Sequence, residues 1–152
     1  MSLPTTASAS IDIAAAPAVV YALVADVTNM GRWSPECHSC EWLDEPGQVG
    51  SRFTGRNQRG LARWTTTARV LAADPGREFS FATLHHDEDA TRWTYRFDGD
   101  SSTTTLTETF EAVRTPALIA FVEKYLLRNR QRQLEDGMTR TLAQIKAAAE
   151  HP

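Results

Sequence analysis

The sequence predicts an α+β fold in which a seven-stranded antiparallel sheet packs against one long C-terminal helix. Residues 36–113 form short apolar-polar stretches separated by turn pairs such as Pro46-Gly47 and Pro75-Gly76. Residues 116–150 are instead rich in strong helix formers, and Pro116 suits a first helical turn. Such a helix must lie against the sheet, because otherwise an apolar face of each would stay in water.

The remaining elements are predicted in chain order. A first strand spans residues 5–13, a helix starts at Pro17, and a second short helix or turn lies within residues 26–33. Short turns between the later strands indicate antiparallel pairing. The acidic run Asp87-Glu88-Asp89 is expected to be a solvated turn. The six further strands are predicted at residues 36–44, 51–57, 61–73, 78–85, 92–97 and 103–113.

Length and composition favour one cytoplasmic domain over residues 1–152, with residues 1–4 disordered or a cloning remnant. The chain of 152 residues is 41% hydrophobic, which suffices for a sizeable core. Its net charge of −3 argues against a nucleic-acid-binding protein. No apolar run reaches the roughly 18 residues of a membrane span, and no secretory signal is seen. Two cysteines fit a reducing compartment. A homodimer is left open.

Period-two alternation predicts which side chains face the helix. On the sixth strand Trp93, Tyr95 and Phe97 share one face and Arg92 and Arg96 the other. The inward rings have two interpretations, an ordinary core or the lining of a ligand cavity. The rings on this face are Phe53, Trp64, Phe79, Phe81, Trp93, Tyr95, Phe97 and Phe110. The predicted ligand-binding residues are Phe53, Trp64, Phe81, Trp93, Tyr95, Glu108, Phe110, Phe121, Tyr125 and Met138.

Glu108 is the most informative polar residue, because it lies between Leu106 and Phe110 on the apolar face of the last strand. A carboxylate there must be paired, solvated in a cavity or protonated. Its structural interpretations are an ion pair with an inward arginine or a strand end close to solvent, and its functional ones are a polar anchor for a ligand or an acid/base group. Tyr95 and His85 are the other catalytic candidates, although the position of His85 at a strand end favours an exposed histidine.

Cys37-His38-Ser39-Cys40 has the spacing of a metal or redox motif, but neither function is expected. A single C-x-x-C lacks the second ligand pair of a zinc site. On a regular strand, residues three apart point to opposite faces, so the two sulfurs should diverge. Phosphate loops, nucleophile elbows and metalloprotease motifs do not occur. No cofactor and no metal are therefore expected.

Five stretches resemble the START-like (SRPBCC) superfamily, and within it the actinobacterial polyketide cyclase/dehydrase-related proteins. They are MGRWSPECHSCEW, VGSRFTGRNQRGLARWTTTARV, TRWTYRF, TLTETFE and GMTRTLAQIKAAAE. The resemblance covers nearly the whole chain. It implies the helix-grip fold, in which the sheet wraps around the C-terminal helix and leaves an apolar ligand cavity.

The resemblance implies three alternative functions. The first is binding of a small hydrophobic or amphipathic molecule. The second is a polyketide-type aromatic cyclase or dehydratase, which would use positioning and one acid/base group. The third is a protein-interaction module of the chaperone co-factor type. No iron-ligand motif of an oxygenase is present.

The C-terminal stretch carries two apolar stripes on nearly opposite sides of a straight helix, which predicts a break near residues 127–133. Residues from Leu134 onward would form the core helix, with Gly137 allowing a close approach. Residues 116–127 would form a lid, with Phe121 or Tyr125 near the cavity entrance. Amide exchange as slow over residues 118–126 as over 138–146 would contradict the lid. The stripe on the core helix consists of Leu134, Met138, Leu142, Ile145 and Ala149.

Overall fold

The computed structural model describes residues 6–113 and 130–152. It confirms the α+β fold, with a seven-stranded antiparallel sheet in the order β1-β7-β6-β5-β4-β3-β2. The strands are β1 Thr6–Ile13, β2 Cys37–Trp42, β3 Arg52–Arg59, β4 Ala62–Asp74, β5 Glu78–His85, β6 Glu88–Gly99 and β7 Thr104–Ala112. The helices are α1 Pro17–Ala25, α2 Met30–Trp33 and α3 Arg130–Glu150, with a 3-10 turn at Val27–Asn29 before α2.

The predicted acidic loop is wrong at two of its three residues. Strand β6 already begins at Glu88, so Glu88 and Asp89 are paired with β5. The turn consists of His86 and Asp87, whose φ angles of 53° and 65° are both positive. Two-residue turns of this kind match the twist of the flanking strands, so the strands can pair right up to the turn. Charge alone did not indicate that geometry.

One face of α3 covers the concave side of the sheet, as predicted. Its axis lies mainly over β1, with further contacts to α1 and α2. Residues 130–133 are helical and so belong to α3 rather than to the predicted break. The rest of that break and the predicted lid, with Phe121 and Tyr125, lie outside the described residues. The buried side chains of the predicted stripe are Leu134, Met138, Leu142, Ile145 and Ala149.

The buried side chains form two hydrophobic clusters. The first fills the space between α1, α2, the C-terminal half of α3 and most of the sheet. Aromatic rings meet edge to face there, as in Phe53–Phe81 with centroids 5.2 Å apart. The second, smaller cluster joins Ala7 and Phe110 to Leu134 and Met138 of α3. The partly buried Trp93 packs against both clusters. Most of the predicted inward rings therefore also serve as core.

Trp64 departs from this prediction, because it is 41% exposed. It lies near the tip of the β3–β4 hairpin, where Leu61 is fully exposed. Alternation placed Trp64 on the inward face, but burial also requires an element to cover that end of the strand.

In the part of the chain that the structure describes, no helix is long and apolar enough to cross a membrane.

Replacing Gly137 by alanine is expected to raise the free energy of unfolding by about 1 kcal/mol, because glycine is a poor residue for a helix interior. An added Cβ would meet only Pro35 Cγ at 3.6 Å, which is ordinary contact. The close approach expected at this glycine therefore does not require its small size. Urea unfolding of the wild type and Gly137→Ala measures the difference.

The control is Gly31→Ala in α2, where an added Cβ would lie 2.0 Å from the carbonyl oxygen of His38. That substitution is expected to lower the free energy of unfolding by about 1–3 kcal/mol, as other overpacked sites do. Equal effects at Gly31 and Gly137 would show that backbone approach does not distinguish the two glycines.

Candidate functional site

Glu108 lies on the concave face of β7 at the boundary between the two hydrophobic clusters. Its neighbours in alternation are Leu106, which belongs to the first cluster, and Phe110, which belongs to the second. Glu108 is as deeply buried as these two neighbours, with only 3% of the residue exposed. An ionisable group thus lies in the middle of a largely apolar surface.

Tyr95 provides one partner for this carboxylate. Strands β6 and β7 are in register so that Tyr95 is directly opposite Glu108. The phenol hydroxyl donates a hydrogen bond of 2.6 Å to Glu108 Oε2. The other oxygen, Oε1, is buried and has no hydrogen-bond partner among the described residues. The sequence left open a buried ion pair at Glu108. The residues that the structure describes do not form one.

Burial dominates the electrostatics of the pair. It raises the pKa of Glu108 to about 7, against the lowering effect of the hydrogen bond from Tyr95. The pKa of Tyr95 is raised well above its usual value, first by burial and then by the nearby Glu108 carboxylate. Glu108 can therefore exist in both protonation states near neutral pH, while the Tyr95 hydroxyl keeps its proton.

The hydroxyl groups of Thr91 and Thr83 lie farther along the same face of the sheet. The indole Nε1 of Trp93 donates a 3.2 Å hydrogen bond to Thr91 Oγ1, and Thr91 in turn shares a hydrogen bond with Thr83 of β5. The Trp93 ring packs against Phe110, with centroids 4.9 Å apart. This surface therefore combines a broad aromatic area with hydroxyl groups and one carboxyl group.

The structure brings some of the predicted ligand-binding residues together and separates others. Five of them lie in the second cluster, beside it, or at the carboxyl group of Glu108. These are Trp93, Tyr95, Glu108 itself, Phe110 and Met138. Phe53 and Phe81 are buried farther across the sheet, in the first cluster.

Two predicted candidates lie apart from Glu108. His85 is exposed at the end of β5, and its ring meets that of His86 edge to face with centroids 4.2 Å apart. Trp64 instead borders an open surface depression, together with His38, Arg56 and Arg63.

The cysteines correct the expectation of diverging sulfurs. The Sγ atoms of Cys37 and Cys40 are 3.4 Å apart, and both residues are buried on the concave side. A register shift between Cys37 and Ser39 inserts an extra residue into β2, which brings both thiols to one face. Between the two buried cysteines stand two successive polar residues, His38 and Ser39. Such a pair interrupts the alternation of a regular strand, and this pattern in the sequence could have indicated the bulge.

Comparisons with known proteins agree with the fold. The family model for polyketide cyclase/dehydrase and lipid transport matches residues 4–150. Among curated proteins, none matches the sequence. A polyketide-cyclase-like protein from Corynebacterium glutamicum is 34% identical, with a TM-score of 0.67, over 94% of this chain and 90% of that one.

Two solved structures of lower identity share the fold. The Zhui aromatase/cyclase from Streptomyces sp. R1128 is 22% identical, with a TM-score of 0.71, over 95% of this chain and 93% of that one. The di-domain aromatase/cyclase StfQ of the steffimycin pathway is 14% identical, with a TM-score of 0.76, over 96% of this chain and 50% of that one.

Glu108 should make the stability of the protein pH-dependent. Its pKa is raised from 4.5 to about 7 in the folded protein, so the folded state favours the neutral carboxyl. The stability linked to this proton is fully present below pH 4.5 and is lost as pH rises through 7. The free energy of unfolding should fall by about 3 kcal/mol over that range. The free energy of unfolding of Glu108→Gln should therefore rise relative to the wild type between pH 4.5 and 8, as measured by denaturant unfolding at each pH.

The matched control is Glu111→Gln, which removes an exposed carboxyl from the same strand. A difference between Glu108→Gln and the wild type that stays constant across this pH range would show that Glu108 does not titrate there.

Proposed function

Because this chain belongs to the polyketide cyclase/dehydrase and lipid transport family, we propose that it binds a small hydrophobic or amphipathic molecule between the concave face of the sheet and the C-terminal helix. The observation that carries this proposal is the buried Oε1 atom of Glu108, which has no partner among the described residues. A buried polar atom left without a hydrogen bond costs about 1–3 kcal/mol. A ligand that donates a hydrogen bond to Oε1 would remove that cost.

The surroundings of Glu108 define the chemistry of such a ligand. Leu106, Phe110 and Trp93 offer aliphatic and aromatic surface, which suits an apolar body. The carboxyl group accepts hydrogen bonds, and when ionised it repels anions. The site therefore favours a neutral, flat or branched apolar molecule with one hydroxyl group over a carboxylate of the same size.

A second candidate function is cyclisation or dehydration of a polyketide-like substrate. It is favoured by the pKa of about 7 at Glu108, which suits a group that both takes up and releases protons near neutral pH. Tyr95, hydrogen-bonded to Oε2, would hold the carboxyl in one orientation. The protein-interaction alternative stays a prediction from the sequence.

Native mass spectrometry of the purified protein tests the first proposal, since a retained ligand would appear as added mass. Direct binding then uses a matched pair of probes, 2-naphthol and 2-naphthoate. We expect 2-naphthol to bind at least about tenfold more tightly, because only it can donate to Glu108. The preference should increase above pH 7, where Glu108 is ionised.

Glu108→Gln and the control Glu111→Gln separate the two functions. In a carrier, Glu108→Gln should keep affinity for the retained molecule near that of the wild type and lose the rise in preference above pH 7. In a cyclase, the same substitution should abolish turnover, whereas Glu111→Gln leaves it intact. Failure of the wild type to bind either probe or to retain any molecule would contradict both functions.

A further inference from the structure

A cluster of three sulfur atoms lies apart from the Glu108 site, at the junction of α2 and β2. Cys37 Sγ and Cys40 Sγ are 3.4 Å apart, and the thioether sulfur of Met30 is 3.8 Å from Cys40 Sγ. Cys37 is 7% exposed and Cys40 6%, and Met30 is half-buried. From this arrangement we propose that Met30, Cys37 and Cys40 form a binding site for a soft monovalent metal ion, Cu(I) or its analogue Ag(I).

The proposal departs from the expectation of no metal site, which assumed a regular strand. The bulge in β2 turns both thiols to the same face. Gly31 brings α2 close to the bulge, since any Cβ there would collide with the carbonyl oxygen of His38. That close approach sets Met30, the preceding residue, against Cys40. Two separate backbone features thus converge on the three sulfurs.

The ligand set determines the class of metal. Within residues 6–113 and 130–152, no group of three or more His, Cys, Asp or Glu residues is placed to hold a metal ion. A structural zinc site takes four such ligands, and an iron–sulfur cluster takes four cysteines. Two thiolates with a thioether instead select Cu(I). His38 lies between the two cysteines in sequence but is not counted among the ligands. It is exposed and borders the surface depression that also contains Arg56 and Arg63.

The distances fit a metal after a small adjustment. Metal–sulfur bonds of about 2.3 Å place the sulfurs of a three- or four-coordinate site about 3.8–4.0 Å apart. The Met30–Cys40 separation of 3.8 Å already lies at that spacing. The two thiols, 3.4 Å apart, would have to separate by about half an ångström. Gly55 leaves room beside them, because even an added Cβ would be 3.5 and 3.7 Å from the two sulfurs.

The proton and charge balance favours a cation here. The thiols of Cys37 and Cys40 are both buried, and their sulfurs are 3.4 Å apart. A second thiolate beside the first would be two buried negative charges, which is costly without a cation. Binding Cu(I) replaces the two thiol protons, so two protons are released and the complex keeps a single negative charge. No oxidation or reduction is involved.

The test is anaerobic competition for Cu(I) held by bicinchoninate, with reduced protein. We expect the wild type to take one Cu(I) per chain and release two protons, and X-ray absorption to show only sulfur neighbours at about 2.3 Å. Cys37→Ala/Cys40→Ala should lose binding. Met30→Leu, a substitution that keeps side-chain volume, should bind at least about tenfold more weakly. Met138→Leu is the matched control and should bind as the wild type does.

Thermal unfolding with and without Ag(I) provides a second measurement, which also shows whether each variant folds. The ion should raise the melting temperature of the wild type and not that of the double cysteine variant. Wild-type protein that takes no Cu(I), or Met30→Leu that binds as tightly as the wild type, would overturn the three-sulfur site. A third result would also overturn it: wild-type protein in which Cys37 and Cys40 lose two hydrogens in air by forming a disulfide, and which takes no Cu(I) after reduction. The two cysteines would then be a redox pair.

Discussion

The concave face of the sheet has to be kept from water, and the rest of the structure depends on how α3 does this. Seven antiparallel strands present one apolar surface, and a helix with a single apolar stripe covers part of it. The buried side chains form two clusters, with Leu106 in one and Phe110 in the other, and α3 contributes to both. Glu108, between them on the strand, is thereby placed in a largely apolar interior.

An acidic residue in that interior reduces stability, and the protein limits the reduction without removing it. Tyr95 hydrogen-bonds one carboxylate oxygen, and protonation relieves the charge. No ion pair among the described residues neutralises this charge. In the described part of the chain Oε1 keeps no hydrogen-bond partner, so ordinary core packing does not satisfy this carboxyl group completely.

Patterns with a regular period predicted the fold and the pairing of two residues of the candidate site, whereas they did not predict local irregularities. Alternation placed Tyr95 and Glu108 on one face, and helical spacing identified the buried stripe of α3 from Leu134 to Ala149. The same alternation failed at the bulge in β2, where one extra residue changes which way Cys37 points relative to Cys40. It also could not foresee the exposure of Trp64, because burial depends on which element covers a strand end.

The bulge in β2 has a consequence for how separate copies of the chain meet. In the sheet order, β1 and β2 are the two edges, and α3 packs on β1. Edge strands invite pairing with another molecule, since their outer N–H and C=O groups offer a template for a further strand. A bulge in the other edge strand interrupts the even spacing that such a template needs. The irregularity that turns two cysteines inward therefore also acts against open-ended sheet growth.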